Sequence, residues 1–158
     1  MKVSDLALEA SNVLLGTAVG AGVDQSLFLM RGWFSSPPDS LVAAHADHPL
    51  KSFSLPLLAG CALALGGALV LNRRNRPRRK LLTLALGLHA GTWAATAAYF
   101  VPELLRLGDK DSVIAIAEST RRGRRWLRLN WGRHLVLGAA WLLTALALGQ
   151  RPARRLAR

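Results

Sequence analysis

The chain has 158 residues, of which 51% are hydrophobic, and it carries a formal net charge of +12 and one cysteine. This length fits a single domain over residues 1–158, and one cysteine excludes an internal disulfide. A soluble protein this basic would be expected to bind nucleic acid. Here the basic residues lie between long apolar segments, so membrane lipids with anionic headgroups are the expected partners and nucleic acid is not.

Four apolar segments follow one another along the chain, and each predicts a membrane-crossing helix. Positions 52–72, 81–102 and 134–150 lack formal charge over 21, 22 and 17 residues, and a crossing needs roughly 20 apolar residues. The first segment contains Glu9 and Asp24, and the alternative for it is an amphipathic helix on the membrane surface. Its Gly- and Ala-rich middle nevertheless suits close helix contact. The predicted helices are residues 6–30, 53–72, 81–101 and 127–149.

These segments predict an all-α fold, a four-helix transmembrane bundle with antiparallel up-and-down topology. The short, basic connection at residues 73–80 makes the second and third helices antiparallel neighbours. Four crossings place both termini on the same side, and Lys and Arg are nearly balanced between the sides, at 11 against 10. The compact 73–80 cluster favours both termini in the cytoplasm, and the expected location is a bacterial inner membrane.

Polar and aromatic residues collect on the side of the membrane opposite the termini. Asp24 and Gln25 end the first helix, Glu103 follows the third, and Arg133 begins the fourth. Burying such groups is costly, so their concentration indicates a site. Pairing of Asp24, Glu103 and Arg133 within the bundle would reduce that cost.

Helical spacing predicts how this site is built. Trp126, Asn130, Arg133 and His134 stand at i, i+4, i+7 and i+8 and therefore share a helix face. With Arg133 and His134 at its mouth, a pocket suited to a flat aromatic ligand would form. Its predicted walls are Trp93, Tyr99, Trp126 and Trp141. The alternatives are that the aromatic residues anchor the helix ends at the interface, that Arg133 reaches the headgroups and that Asn130 joins helices.

Histidines raise the question of a metal. His45, His48 and His134, with Asp24 or Glu103, would form a His/carboxylate set suited to iron, copper or zinc. The spacing of His45 and His48 alone is weak evidence. The expected cofactor is therefore either none or a single iron or copper ion.

Two short motifs resemble the DUF1772 family, also called anthrone oxygenase-like. One is the step Phe100-Val101-Pro102 after the third helix. The other is W-x-x-x-N-x-x-R before the fourth, matched here by Trp126, Asn130 and Arg133. Glu103 departs from the family pattern, in which many members have a small or amide residue.

The resemblance implies an oxidation of anthrone- or phenol-like compounds by molecular oxygen. His134 would then act as the base, Arg133 would stabilise the oxyanion, and Asn130 would orient it. The substrate-binding residues would be Trp126, Tyr99, Trp93, Glu103, Asp24 and Gln25. The alternative is a non-catalytic membrane subunit that binds lipid or a partner protein. A hydrophobic small molecule is the expected ligand, and a homo-oligomer is left open.

Overall fold

The computed structural model describes residues 2–47, 50–110 and 114–150, and no strand occurs among them. Four of its helices are long and apolar enough to cross a membrane, which confirms the predicted all-α bundle. The elements are α1 (Val3–Asp24), a π turn (Gln25–Leu29), a 3-10 turn (Met30–Gly32), α2 (Asp39–Asp47), α3 (Leu50–Leu71), α4 (Arg76–Ala95), a second π turn (Thr96–Phe100), α5 (Val101–Leu107) and α6 (Ile116–Gly149).

The four long helices form a ring in which each contacts two neighbours. Helix α1 packs against α3 and α6, and α4 packs against α3 and α6. The turn between α3 and α4 is short, and the side chain of Asn75 caps α4 by accepting a hydrogen bond from the Arg78 amide. A tight turn of this kind requires antiparallel neighbours.

The bundle interior is built from leucine and alanine contributed by all four helices. Leu8, Leu65 and Leu82 are fully buried, and alanines between the leucines let the helices approach closely. Large apolar side chains also point outward, with Leu63 78% exposed and Leu135 74% exposed. Such exposed leucines on long apolar helices suit contact with lipid.

A polar cluster joins all four helix ends on the side of the termini. The Arg78 guanidinium donates to Asp5 Oδ1 at 2.6 Å, to Asn72 Oδ1 at 3.1 Å and to the Gln150 carbonyl at 2.9 Å. Arg78 is only 5% exposed, unlike most of the basic residues around it. The sequence indicated a basic surface here and missed this cluster.

Two helices extend further than the sequence predicted. The third continues through the Thr96–Phe100 π turn and Pro102 to Leu107, and the fourth begins at Ile116 rather than at residue 127. Proline lacks an amide hydrogen and disrupts regular α-helical hydrogen bonding, and the π turn ends two residues before it. The extensions pack on each other through Glu103 and Arg122, so the pairing stabilises polar helix beyond the apolar segments.

Candidate functional site

A cavity of about 90 Å³ lies where all four long helices meet. About eighteen helical residues separate Thr96 from Arg78, which corresponds to roughly 27 Å of helix. The hydrocarbon core is about 30 Å thick, so with the Arg78 cluster at one edge the cavity lies near the other. The lining residues that bear on its chemistry are Gly22, Gln25, Trp93, Thr96, Arg133 and His134.

Both π turns lie beside this cavity and each begins with one of its lining residues. Gln25 begins the first turn and Thr96 begins the second. A π turn inserts an extra residue into the helical hydrogen-bond pattern and is frequent at functional sites. Here the two turns place polar side chains against the cavity in helices that are otherwise apolar.

Arg133 presents its charge to the cavity and contacts the second π turn. Its Nη1 donates to Thr96 Oγ1 at 3.0 Å, and its Cζ lies 4.9 Å from the centroid of the Phe100 ring. The Thr96 hydroxyl in turn donates to the Thr92 carbonyl at 2.6 Å. Among the described residues, no carboxylate lines the cavity or pairs with Arg133. The site is therefore positively charged.

A buried hydrogen-bond network joins His134 on α6 to the first π turn. Its Nε2 lies 2.9 Å from Ser26 Oγ and 3.1 Å from Asn130 Nδ2. The Asn130 amide also donates to Ser26 Oγ at 3.0 Å and contacts Met30 Sδ at 3.6 Å. Asn130 is fully buried, and its Oδ1 has no hydrogen-bond partner among the described residues.

A glycine on α1 makes room for the His134 ring. A Cβ built on Gly22 would lie 2.6 Å from His134 Cε1 and 2.7 Å from Nδ1. Both distances are shorter than real Cβ contacts, so any side chain at this position would displace the imidazole. The sequence identified Gly22 as a position for close helix contact but did not identify Ser26. The spacing of Gly22, Ser26 and Met30, each four residues apart, was the available signal.

The predicted aromatic pocket is not formed as a unit, because of its four residues Trp93 alone lines the cavity. Trp126 lies in a separate buried cluster with Trp33, Phe34 and Phe100, and its Nε1 donates to the Phe100 carbonyl at 2.9 Å. Tyr99 packs edge-on against Phe100 with centroids 5.3 Å apart. Trp141 packs on α1, where a Cβ on Gly16 would lie 3.1 Å from its Nε1.

The acidic residues predicted for the site lie away from the cavity. Glu103 is 8% exposed and accepts two hydrogen bonds from Arg122, at 2.7 and 2.6 Å. Asp24 is exposed, while the adjacent Gln25 lines the cavity. The predicted pairing of Asp24 and Glu103 with Arg133 was therefore wrong, because the axial position of α6 brings Arg122 rather than Arg133 to Glu103.

A further histidine lies in the apolar interior. His89 is 1% exposed, and its Nε2 lies 3.1 Å from the Leu58 carbonyl and 3.2 Å from Trp93 Nε1. Its Nδ1 has no hydrogen-bond partner within the part of the chain that the structure describes. His89 thus supports the wall of the cavity through Trp93.

The metal hypothesis is not tested by the residues at hand. Within residues 2–47, 50–110 and 114–150, no three His, Cys, Asp or Glu side chains come together in a possible ligand set. The side chain of His45 and the whole of His48 lie outside the described residues. A site built from them and His134 therefore remains a prediction.

The comparisons with known proteins give a family. The model of the anthrone oxygenase family matches residues 49–143, which is more than half of the chain. No curated protein and no solved structure matches. The matched region runs from α3 into α6 and holds Asn130, Arg133 and His134, whereas Gly22 and Ser26 on the α1 side of the network lie before it. The chain belongs to the anthrone oxygenase family.

Proposed function

We propose that the protein is an integral-membrane oxygenase that oxidises a hydrophobic aromatic compound of the anthrone or phenol class with molecular oxygen. The observation that supports this best is the cavity at the membrane edge, where apolar walls meet the Arg133 guanidinium and the His134 imidazole. Apolar walls with few polar groups suit a hydrophobic ligand of fixed orientation.

The charge of the cavity favours a substrate that binds as an oxyanion. An anthrone loses a proton from its activated methylene, and a phenol loses one from its hydroxyl, to give a planar anion with charge on oxygen. Arg133 would stabilise that oxygen, and its effect is strong because the surroundings are largely apolar. Thr96 holds the guanidinium in place with the hydrogen bond of 3.0 Å.

The proposed overall reaction balances without a further reductant. The anthrone methylene carbon loses two hydrogens and gains one oxygen atom, and so becomes a carbonyl. Molecular oxygen is reduced by the four electrons released. One of its atoms forms the new carbon–oxygen bond, and the other leaves as water with the two hydrogens.

The cavity volume limits how the substrate sits. About 90 Å³ is less than the roughly 150 Å³ of a cavity that holds benzene. A tricyclic compound would therefore place its oxygen-bearing edge beside Arg133 while its other rings displace lining side chains or extend outward between the helices. A single-ring phenol needs the smaller adjustment and is the better probe of binding.

A non-catalytic subunit remains the second hypothesis, and one observation favours it. Asn130 and Trp126 are packed inside the protein rather than directed at the cavity, as a structural role would require. Under this hypothesis the protein would bind a lipid or partner and would consume no oxygen.

Oxygen consumption by the purified protein tests the proposal. The protein is reconstituted in lipid nanodiscs with an anthrone, and oxygen uptake is followed with an electrode while the product is analysed after labelling with ¹⁸O₂. We expect one labelled oxygen in the product and a fall in kcat/KM of about 10²–10³-fold in Arg133→Gln. The matched control is Arg128→Gln, an exposed arginine on the same helix, which should retain activity.

The same preparation is analysed for iron and copper by elemental mass spectrometry, which tests the metal hypothesis separately. Uptake that equals the protein-free rate, or equal activity in Arg133→Gln and Arg128→Gln, would refute the proposed role of the cavity and favour the subunit.

A further inference from the structure

The hydrogen bonds around His134 restrict which of its ring nitrogens carries the proton. Asn130 Nδ2 lies 3.1 Å from His134 Nε2, and Ser26 Oγ lies 2.9 Å from it. An amide nitrogen can only donate. Nε2 must therefore accept, and it can accept only while it is unprotonated.

The orientation of the Asn130 amide follows from its third neighbour. Asn130 Nδ2 lies 3.6 Å from Met30 Sδ, and a thioether sulfur accepts hydrogen bonds but has no proton to donate. An amide oxygen in that place would face the sulfur lone pairs. Rotating the amide would exchange Oδ1 and Nδ2. The unpartnered position now holds one acceptor, Oδ1, and would then hold an NH₂ group with two unpaired donors, which costs more free energy.

The other ring nitrogen lies on the cavity side. His134 and Gly22 both line the cavity, whereas Ser26 and Asn130 do not. Gly22 lies beside Cε1 and Nδ1 of the His134 ring. With Nε2 unprotonated, a neutral imidazole carries its hydrogen on Nδ1. The hydrogen-bond donor is thus presented to the cavity that Arg133 also lines.

We propose that Asn130 is a positioning residue that fixes His134 as the Nδ1–H tautomer, so that His134 donates a hydrogen bond to the substrate oxyanion. This rests on the proposed function for the identity of the ligand. It differs from the role of base that the family resemblance implied for His134. The substrate proton is then lost to water at the membrane edge before the anion binds, and Arg133 and His134 stabilise the anion together.

The tautomer is measured by long-range ¹H–¹⁵N correlation spectroscopy on histidine-labelled protein in nanodiscs. The His134 signals are assigned by their loss in His134→Gln. We expect Nδ1 to be protonated in the wild type, and the proton to move to Nε2 in Asn130→Asp, whose carboxylate accepts. Ser26→Ala is the matched control and should keep Nδ1–H, since Asn130 still donates. A wild type protonated on Nε2, or a tautomer unchanged in Asn130→Asp, would overturn the proposal.

A pair of His134 variants separates the donor role from the base role. Glutamine donates hydrogen bonds but cannot take up the proton, whereas leucine does neither. We expect His134→Gln to bind 4-nitrophenolate within about threefold of the wild type, and His134→Leu to bind it about tenfold more weakly. The rate of substrate turnover should likewise be higher in His134→Gln than in His134→Leu.

Equal loss in both variants would overturn the donor role. The tautomer and the phenolate affinity do not require turnover. If oxygen uptake fails while these two results hold, the proposed function fails and the assignment of the anion site stands.

Discussion

Replacing Gly22 by alanine should block the cavity and displace His134. The new Cβ would lie 2.6 Å from Cε1 and 2.7 Å from Nδ1 of the imidazole. The ring is not free to move away, because its Nε2 is held by Ser26 and Asn130 at 2.9 and 3.1 Å. The variant must therefore shift helix α1 or break the network.

The magnitude follows from two opposing effects. Glycine to alanine within a helix gains about 1 kcal/mol of helix propensity, whereas overpacking of a closely packed interior costs about 1–3 kcal/mol. Gly20 supplies the matched control, because it lies on the same helix and a Cβ there meets no atom within 4 Å. Comparing the two alanine variants cancels the propensity gain and leaves the steric cost.

Thermal unfolding and ligand binding in nanodiscs measure both consequences. A change of 1 kcal/mol shifts the melting temperature by about 2–4 °C in a protein of this size. Gly22→Ala should therefore melt about 2–12 °C below Gly20→Ala, and it should bind 4-nitrophenolate at least about tenfold more weakly. Equal melting temperatures and equal affinities in the two variants would refute the reasoning, because Gly22 would then not support the His134 ring.

Three further predictions concern charged contacts. Arg133→Lys should retain part of the 4-nitrophenolate affinity that Arg133→Gln loses, since lysine keeps the charge but not the planar donor geometry; equal loss in both would contradict a charge effect. Arg122→Leu should lower the melting temperature more than Arg122→Leu combined with Glu103→Gln, because the single change leaves a buried carboxylate unpaired; equal melting would contradict this. Arg78→Gln should lower the free energy of unfolding by about 1–3 kcal/mol. Its control is Arg74→Gln at an exposed position, which should change that free energy by no more than about 0.5 kcal/mol. Thermal unfolding measures both variants, and equal values would contradict a role for the polar cluster.

Local composition accounts for the part of the fold that could be predicted. Long runs without charge predict membrane-crossing helices directly, because length and hydropathy are properties of the segment alone. The same holds for helix faces. Trp126, Asn130 and His134 are four residues apart, and the structure buries all three on one side of α6.

Helix boundaries were less predictable, because polar residues can continue a helix beyond the membrane. Residues 116–126 contain four arginines, so the sequence predicts that they form a helix outside the membrane that either ends before the membrane-crossing helix or continues into it. Glycine is unfavourable in the interior of a helix, so Gly123 does not by itself favour a continuous helix. In the structure Gly123 lies against the Phe34 ring, which an added Cβ would overlap, so packing between distant segments explains this glycine.

The partners of the site residues depended on rotation and register between helices. Glu103 pairs with Arg122 rather than with Arg133, although both arginines lie on α6. Eleven residues separate them, a little over three turns, or roughly 16 Å along the helix. The axial position of α6 against α5 therefore decides which arginine meets Glu103. The sequence of either helix alone does not contain that information.

The sequence by itself determined four apolar helices, their antiparallel order and the side of the membrane on which polar residues gather, because these follow from local hydropathy and the number of crossings. Only the tertiary structure decided that His134 meets Ser26 and Gly22, that Arg133 faces a cavity and that Trp126 does not. These contacts join helices far apart in the chain, and they depend on how side-chain volumes fit between four helices at once.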